Sequence, residues 1–271
     1  MRRHAAVLSA VCTVAFSFAG PLLAQAPAAL SAKIWTDRAP EIEAYLKTAE
    51  VVSMEALKTG VTKPRKAKLA PGGPVEAFSW KAIKPGRYSG YWESYKSEVA
   101  AYELDKLLGL GMIPPTVERR AEGDSGAAVM WASPTRSFKE LGGVPGQKGV
   151  TGPPPQQLEP WTRQIIKAKM FDNLIGNLDP NLGNWLVDPA WNLILIDHTR
   201  SFTSSKTLYH QLSQVDAELW DKMKALDESG LTAALGEWHD RSAIRAILDR
   251  RAKMHEVVDK LQGGTSASRV P

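Results

Sequence analysis

The chain has 271 residues, of which 44% are hydrophobic and 23% charged, a globular composition with enough apolar mass for one or two lobes of core. This excludes a mainly disordered protein. A formal net charge of +5 is too small to argue for a nucleic-acid partner.

The first 26 residues have the three-part layout of a secretory signal peptide: basic Arg2 and Arg3, an apolar stretch from Ala5 to Ala19, and a small-residue site at Ala24-Gln25-Ala26. The apolar run is shorter than the roughly 20 residues that span a bilayer, so cleavage after Ala26 is expected, with no integral membrane span afterwards. Its loss leaves 32 basic residues against 29 acidic ones, or +3, and removes Cys12, the single cysteine. The expected mature protein is periplasmic or secreted, with neither a disulfide framework nor a thiolate metal site.

Residues 27–50 form a leading segment in which Ile42, Tyr45 and Leu46 fall at helical spacing over Pro40 to Ala49, with Asp37 as a cap. From residue 51 the pattern turns strand-like: Val51 to Met54, Ala67 to Leu69 and Val75 to Ile83, punctuated by Gly60, Pro64 and Pro71-Gly72-Gly73-Pro74. The basic cluster Lys58, Lys63, Arg65, Lys66 and Lys68 fits either a phosphate-facing surface or a solvated hairpin. Ser94 to Leu110 reads as a helix closed by Gly109 and Gly111, and two short apolar runs follow at Pro115 to Glu118 and Ala127 to Ala132.

Residues 51–138 thus read as one lobe, a sheet of about five strands with one helix. The stretch from Gly142 to Pro155 is dense in Gly and Pro, and residues 139–158 are expected to be the hinge or linker. Residues 159–262 read as a mainly helical lobe: a helix from Pro160 to Ile175, short strands at Trp185 to Val187 and Leu193 to Ile196, then helices over Leu212 to Leu226, Gly230 to Trp238 and Asp240 to Leu261. Ser213, Ser229 and Asp240 are the expected caps, Gly263-Gly264 the expected stop, and residues 263–271 a flexible tail. Strands, hinge, then helices make an α+β chain of two lobes rather than an alternating doubly wound sheet.

The segment Ile175-Gly176-Asn177-Leu178-Asp179-Pro180-Asn181-Leu182-Gly183-Asn184, followed by Leu193-Ile194-Leu195-Ile196-Asp197, puts polar groups at both mouths of an apolar hairpin. An Asp, an Asn five residues on, and an Asp ending an apolar strand can bring three oxygen ligands to one point. Phosphoryl transfer needs such a point, because its catalysis is mostly positioning and charge neutralisation by a hard cation and a Lys. His198 and His210 form no close ligand pair with another His, so no zinc is expected, and the nine Trp residues read as core packing.

The loop from Ile175 to Asn184 resembles the catalytic loop of the atypical protein-kinase-like branch that includes the phosphatidylinositol 3/4-kinase-like, HipA-like and Golgi secretory-pathway kinases. That resemblance implies a two-lobed protein-kinase-like fold binding ATP with Mg²⁺ or Mn²⁺. Asp179 would be the catalytic residue that positions a substrate hydroxyl, and Asn184 and Asp197 would hold metal. Ala82-Ile83-Lys84-Pro85 resembles the strand end that presents the phosphate-binding Lys, so Lys84 is the first choice, with Lys81 in reserve. Glu98, in Ser97-Glu98-Val99, stands where the Lys-pairing Glu of the kinase helix would be. Gly60 and Thr62, in the loop Leu57 to Pro64, would offer backbone N–H groups to phosphates.

The expected function is a phosphotransferase acting on a hydroxyl of a protein, lipid or small molecule outside the cytoplasm. Pro180-Asn181 stands where that branch commonly has Arg-His, and Asp197-His198-Thr199 replaces Asp-Phe-Gly; the first departure and the export from ATP-rich cytosol also suit a pseudokinase that binds nucleotide or protein with little chemistry.

Overall fold

The computed structural model describes residues 30–57 and 64–267, with side chains through Leu261. The leader, Gly60, Thr62 and the last four residues lie outside the described residues.

The first lobe is an antiparallel sheet in the order β1 (Val51–Ala56), β2 (Arg65–Leu69), β3 (Ala77–Lys81), β7 (Asp124–Met130), β6 (Thr116–Ala121). Between β3 and the next helix the chain makes a hairpin that the sequence pattern does not announce, β4 (Gly86–Tyr88) with β5 (Tyr91–Glu93). Three residues per strand are too few for a period to be read, although the left-handed Ser89 and Gly90 are what a tight two-residue turn requires.

The five-stranded sheet is covered on both faces, and period-2 alternation assigns the residues. Phe78, Trp80, Ala128 and Met130 pack with Ile42 and Leu46 of α1 (Ala39–Thr48). Ala127 and Val129 point the other way, against Tyr95 and Val99 of α2 (Tyr95–Leu108). Ser94 caps α2, its hydroxyl accepting from the Lys96 N–H at 3.1 Å, and Gly109 ends it at a φ of 62°. The cap of α1 is Arg38 rather than Asp37, without a side-chain bond.

The lobes join earlier than composition suggests. β8 (Arg136–Ser137) already pairs with β9 (Trp185–Val187), which pairs with β10 (Leu193–Leu195), so the crossing lies over residues 131–135. The expectation of a hinge at 139–158 is corrected: Leu141 and Val144 pack on the second core, and the Gly143 N–H donates to the Phe138 carbonyl at 2.9 Å. Gly and Pro there shape a folded excursion of the second lobe.

That lobe consists of α3 (Leu158–Ile175), α4 (Ala217–Lys224), α5 (Glu228–Leu235) and α6 (Arg241–Ala267) around Phe171, Leu174, Met223, Leu231 and Ile247. Asp216 and Asp227, not Ser213 and Ser229, accept the capping bonds of α4 and α5. Helix α6 continues through Gly263-Gly264 to Ala267, correcting the expected stop and the start of the tail, since an interior glycine costs a helix only about 1 kcal/mol.

Candidate active site

The site begins where α3 ends. Gly176 turns the chain at a φ of 65°, and a Cβ there would meet the guanidinium of Arg250 at 2.9 Å. Arg250, fully buried on α6, donates to the carbonyls of Leu174 (2.8 Å), Thr203 (3.0 Å) and Ser205 (2.5 Å). It thereby ties the start of the loop to the segment after Asp197. Burial of the guanidinium pushes its pKa down to about 10.

The loop then folds on its own amides. Asn177 Nδ2 donates to Asp172 Oδ1 at 3.0 Å, and Asn177 Oδ1 accepts the Asp179 N–H at 3.0 Å. Asn184 Nδ2 donates to the Asp179 carbonyl at 3.1 Å, closing the five-residue interval, and Asn181 Nδ2 donates to Asp179 Oδ1 at 2.9 Å. The Ile196 N–H bonds the Asn184 carbonyl at 3.0 Å, which lays Asn184 alongside the chain leading into Asp197. Asp179, Asn184 and Asp197 are therefore assembled at the mouth of the β9–β10 hairpin. Asp197 adopts a φ of 65°, a strained backbone for a residue other than glycine.

Across the cleft, Lys81 at the end of β3 donates to Glu98 Oε1 at 2.5 Å and to Asp197 Oδ1 at 2.9 Å. Lys81 and Glu98 are both buried. Burial alone would discharge Lys81, yet Asp197 and Glu98 raise its pKa above the ordinary value. Burial likewise opposes the Glu98 carboxylate, and Lys81 and then His198 overcome it, taking the pKa down to about 2. The close approach of β7 helps fix Lys81: a Cβ on Gly126 would lie 2.6 Å from the Lys81 carbonyl.

Lys84 is not in this arrangement, which corrects its choice over Lys81. It lies beyond the last paired residue of β3, exposed, and bonds Asp124 at 2.8 Å. The deciding signal is alternation. Phe78 and Trp80 face α1, so Ser79 and Lys81 face α2 and Glu98.

Arg200 is absent from the sequence-based set. Its Nε donates to Glu93 Oε1 at 2.8 Å, its Nη2 makes an ion pair with the same oxygen at 2.7 Å, and its Nη1 lies 3.5 Å from Asp179 Oδ2. No local pattern announces these contacts, which span 107 and 21 residues. His198 is buried, with Nδ1 at 3.8 Å from Glu98 Oε2, and His210 Nε2 lies 3.1 Å from Asp172 Oδ2.

No protein-family model matches the sequence, and no curated protein is matched by it. Solved structures are matched. The structure of hydra Fam20 with sugar superposes with a TM-score of 0.60 at 14% identity, covering 84% of this chain and 90% of that one. A Golgi casein kinase gives 0.56 at 14% identity, covering 79% and 72%, and the Helicobacter pylori proinflammatory kinase CtkA gives 0.50 at 12%, covering 77% and 92%. The chain has an atypical protein-kinase-like fold. In this kinase-like chain the Lys81, Glu98 and Asp197 triad spans the two lobes, and Asp179 and Asn184 are bonded to each other in the loop before β9.

The donor set fits a hard divalent cation. The described residues contain no cluster of three or more His, Cys, Asp and Glu that could enclose a metal. Asp197 and Asn184 each carry a side-chain oxygen of the hard type, and Mg²⁺ commonly takes one or two carboxylates plus phosphate oxygens and water. Among the described residues no helix is long and apolar enough to cross a membrane.

Proposed function

We propose that the protein is an ATP- and metal-dependent phosphotransferase acting on a hydroxyl acceptor outside the cytoplasm. The observation that carries the reading is Lys81, buried and bonded at once to Glu98 and Asp197. An ammonium has three N–H donors; two are engaged here, and a phosphate oxygen would take the third. Glu98, held by α2, keeps the ammonium charged and aimed into the cleft.

Asn184 and Asp197 would hold Mg²⁺ or Mn²⁺, which supplies neutralisation of the phosphate charge when bound. Asp179 would accept the hydroxyl proton as the acceptor oxygen bonds the γ-phosphorus and the bond to ADP breaks. The Golgi casein kinase neighbour has been solved with Mn and ADP, which supports the nucleotide and the class of metal as the reading for this chain. Location outside the cytoplasm rests on the layout of residues 1–26, and N-terminal sequencing of the exported protein would find Pro27 first.

A second reading has its own observation. Pro180 and Asn181 follow Asp179, and Asn181 Nδ2 donates to Asp179 Oδ1 at 2.9 Å, which suits a pseudokinase that binds nucleotide without transfer. The chain from Pro27 onward, titrated with ATP and Mg²⁺ or Mn²⁺, separates the two when thermal stabilisation and release of ADP are followed beside Asp197→Ala. Ligand binding to the folded state raises the midpoint. Stabilisation lost in the variant, with turnover in the parent, supports the enzyme; stabilisation without turnover supports the pseudokinase. No stabilisation at millimolar nucleotide overturns both.

A further inference from the structure

Glu93, which ends the unannounced β4–β5 hairpin, is 3% exposed. Its Oε1 accepts the Arg200 Nε–H at 2.8 Å and forms an ion pair with Nη2 at 2.7 Å. The Arg200 guanidinium also lies over the ring of Tyr91 at 4.6 Å. A planar cation with two of its nitrogens against one carboxylate oxygen and an aromatic ring against its face has little freedom left. Its remaining nitrogen, Nη1, is then directed at Asp179 Oδ2, 3.5 Å away.

The main chain repeats the connection. The Leu178 N–H points to the Arg200 carbonyl at 3.5 Å, the Phe202 N–H donates to the Ile175 carbonyl at 2.8 Å, and the Ser94 N–H donates to the Thr199 carbonyl at 3.0 Å. Arg200 is thus gripped on one side by the hairpin and on the other by the loop that carries Asp179. Pro180 and Asn181, next after Asp179, carry no charge, and among the described residues the cation paired with Asp179 is Arg200. Asn181 on Oδ1 and Arg200 on Oδ2 together define the plane of the Asp179 carboxylate.

We propose that Arg200 is the positioning residue for Asp179 and that Glu93, on the β4–β5 hairpin, sets Arg200, so that the hairpin controls the orientation of the group that receives the acceptor proton. The inference rests on the phosphotransferase reading. A structural ion pair alone would need only the two Glu93 contacts; the directed third nitrogen, at the one carboxylate assigned to proton transfer, is what distinguishes a relay. Groups that act through geometry in this way show their effect in turnover rather than in nucleotide binding.

The test uses the chain from Pro27 with ATP and Mn²⁺, water serving as acceptor, and reads ADP release together with stabilisation by ATP. Arg200→Met is expected to lower kcat about 100-fold, the loss that roughly 1 Å of misplacement brings, with the KM for ATP changed by less than about twofold, because only an interaction with the reacting centre is removed. Arg200→Lys is expected to recover part of the rate, since an ammonium restores charge without the fork. The double variant Glu93→Gln/Arg200→Met leaves neither charge buried alone, which keeps the test open if a single variant fails to fold. It should be no slower than Arg200→Met alone, the two residues acting as one unit.

A folded double variant that turns over at the parent rate overturns the proposal, as does a loss confined to KM. A parent that binds ATP but releases no ADP overturns the phosphotransferase reading and this inference with it. A parent that turns over beside equally active variants overturns the inference alone.

Discussion

Replacing Lys81 by Met removes the cation from a buried triad and leaves the Glu98 carboxylate, 2% exposed, without its 2.5 Å partner. The Glu98 pKa of about 2 against the ordinary 4.5 corresponds, at 1.36 kcal/mol per unit, to a contribution on the order of 3 kcal/mol at pH 7. Breaking a buried ion pair from one side costs about 3–5 kcal/mol, so the two routes agree, and at about 2–4 °C per kcal/mol the melting midpoint should fall by roughly 6–12 °C. The sign with pH follows from the depressed carboxyl: its stabilisation is complete above about 4.5 and is lost as pH falls toward 2. Urea titrations at pH 7 and pH 3 should therefore show a large deficit for Lys81→Met at neutral pH that narrows in acid, where the lone carboxylate protonates. Lys84→Met, three residues on, removes an exposed pair with Asp124 and should leave the midpoint unmoved. Nucleotide-dependent stabilisation should vanish in the first variant and persist in the second. A larger deficit for Lys84→Met, or a Lys81→Met deficit that widens in acid, would refute the reasoning.

Asp105 is buried, and burial raises its pKa to about 6 against the opposing N–H bonds of Met112 and Ile113. The folded chain then holds a proton that the unfolded chain releases, so this group's effect on stability worsens as pH rises from the ordinary 3.8 through about 6. Asp105→Asn keeps an acceptor for both N–H groups and should gain on the order of 1–3 kcal/mol at pH 7, a gain that disappears at pH 4 in the same urea titration. Gly176→Ala places a Cβ at a φ of 65° and 2.9 Å from the Arg250 guanidinium. With about 1–2 kcal/mol for the left-handed backbone alone, and more for displacing a cation bonded to three carbonyls, a midpoint drop of several degrees by calorimetry is expected. Ser94→Ala removes the hydroxyl that accepts the Lys96 N–H and should cost about 1 kcal/mol by urea unfolding.

Much of the fold follows from local signals, and the reach of those signals explains what is missed. Asp179 and Asn184 are legible because six residues of one loop carry both, and Asp197 because an apolar strand delivers it, so chain proximity does most of the assembly. The α2 helix is legible because cap, period and terminal glycine coincide within one segment. The β4–β5 hairpin is too short to show a period, and the crossing at 131–135 is hidden by a richer Gly/Pro stretch that folds within the second lobe. Arg200 carries no local mark at all, since its partners are a hairpin 107 residues back and a loop on another element.

Lys81 shows that a correct rule can be available and still be outweighed. The choice of Lys84 follows the residues Ile83 and Pro85 that flank it, which resemble a strand end, whereas the strand itself ends at Lys81 in register with Ala127. Extending the alternation from Phe78 and Trp80 places Lys81 on the α2 face, where Ala127 packs beside Val99 and Glu98 lies one residue away. A lysine at the last paired position of a strand inherits the direction of the sheet, and one beyond it does not. The face of the sheet, more than the neighbouring residues, therefore decides which of two nearby lysines can enter a cleft, and here it selects the one that bridges both lobes.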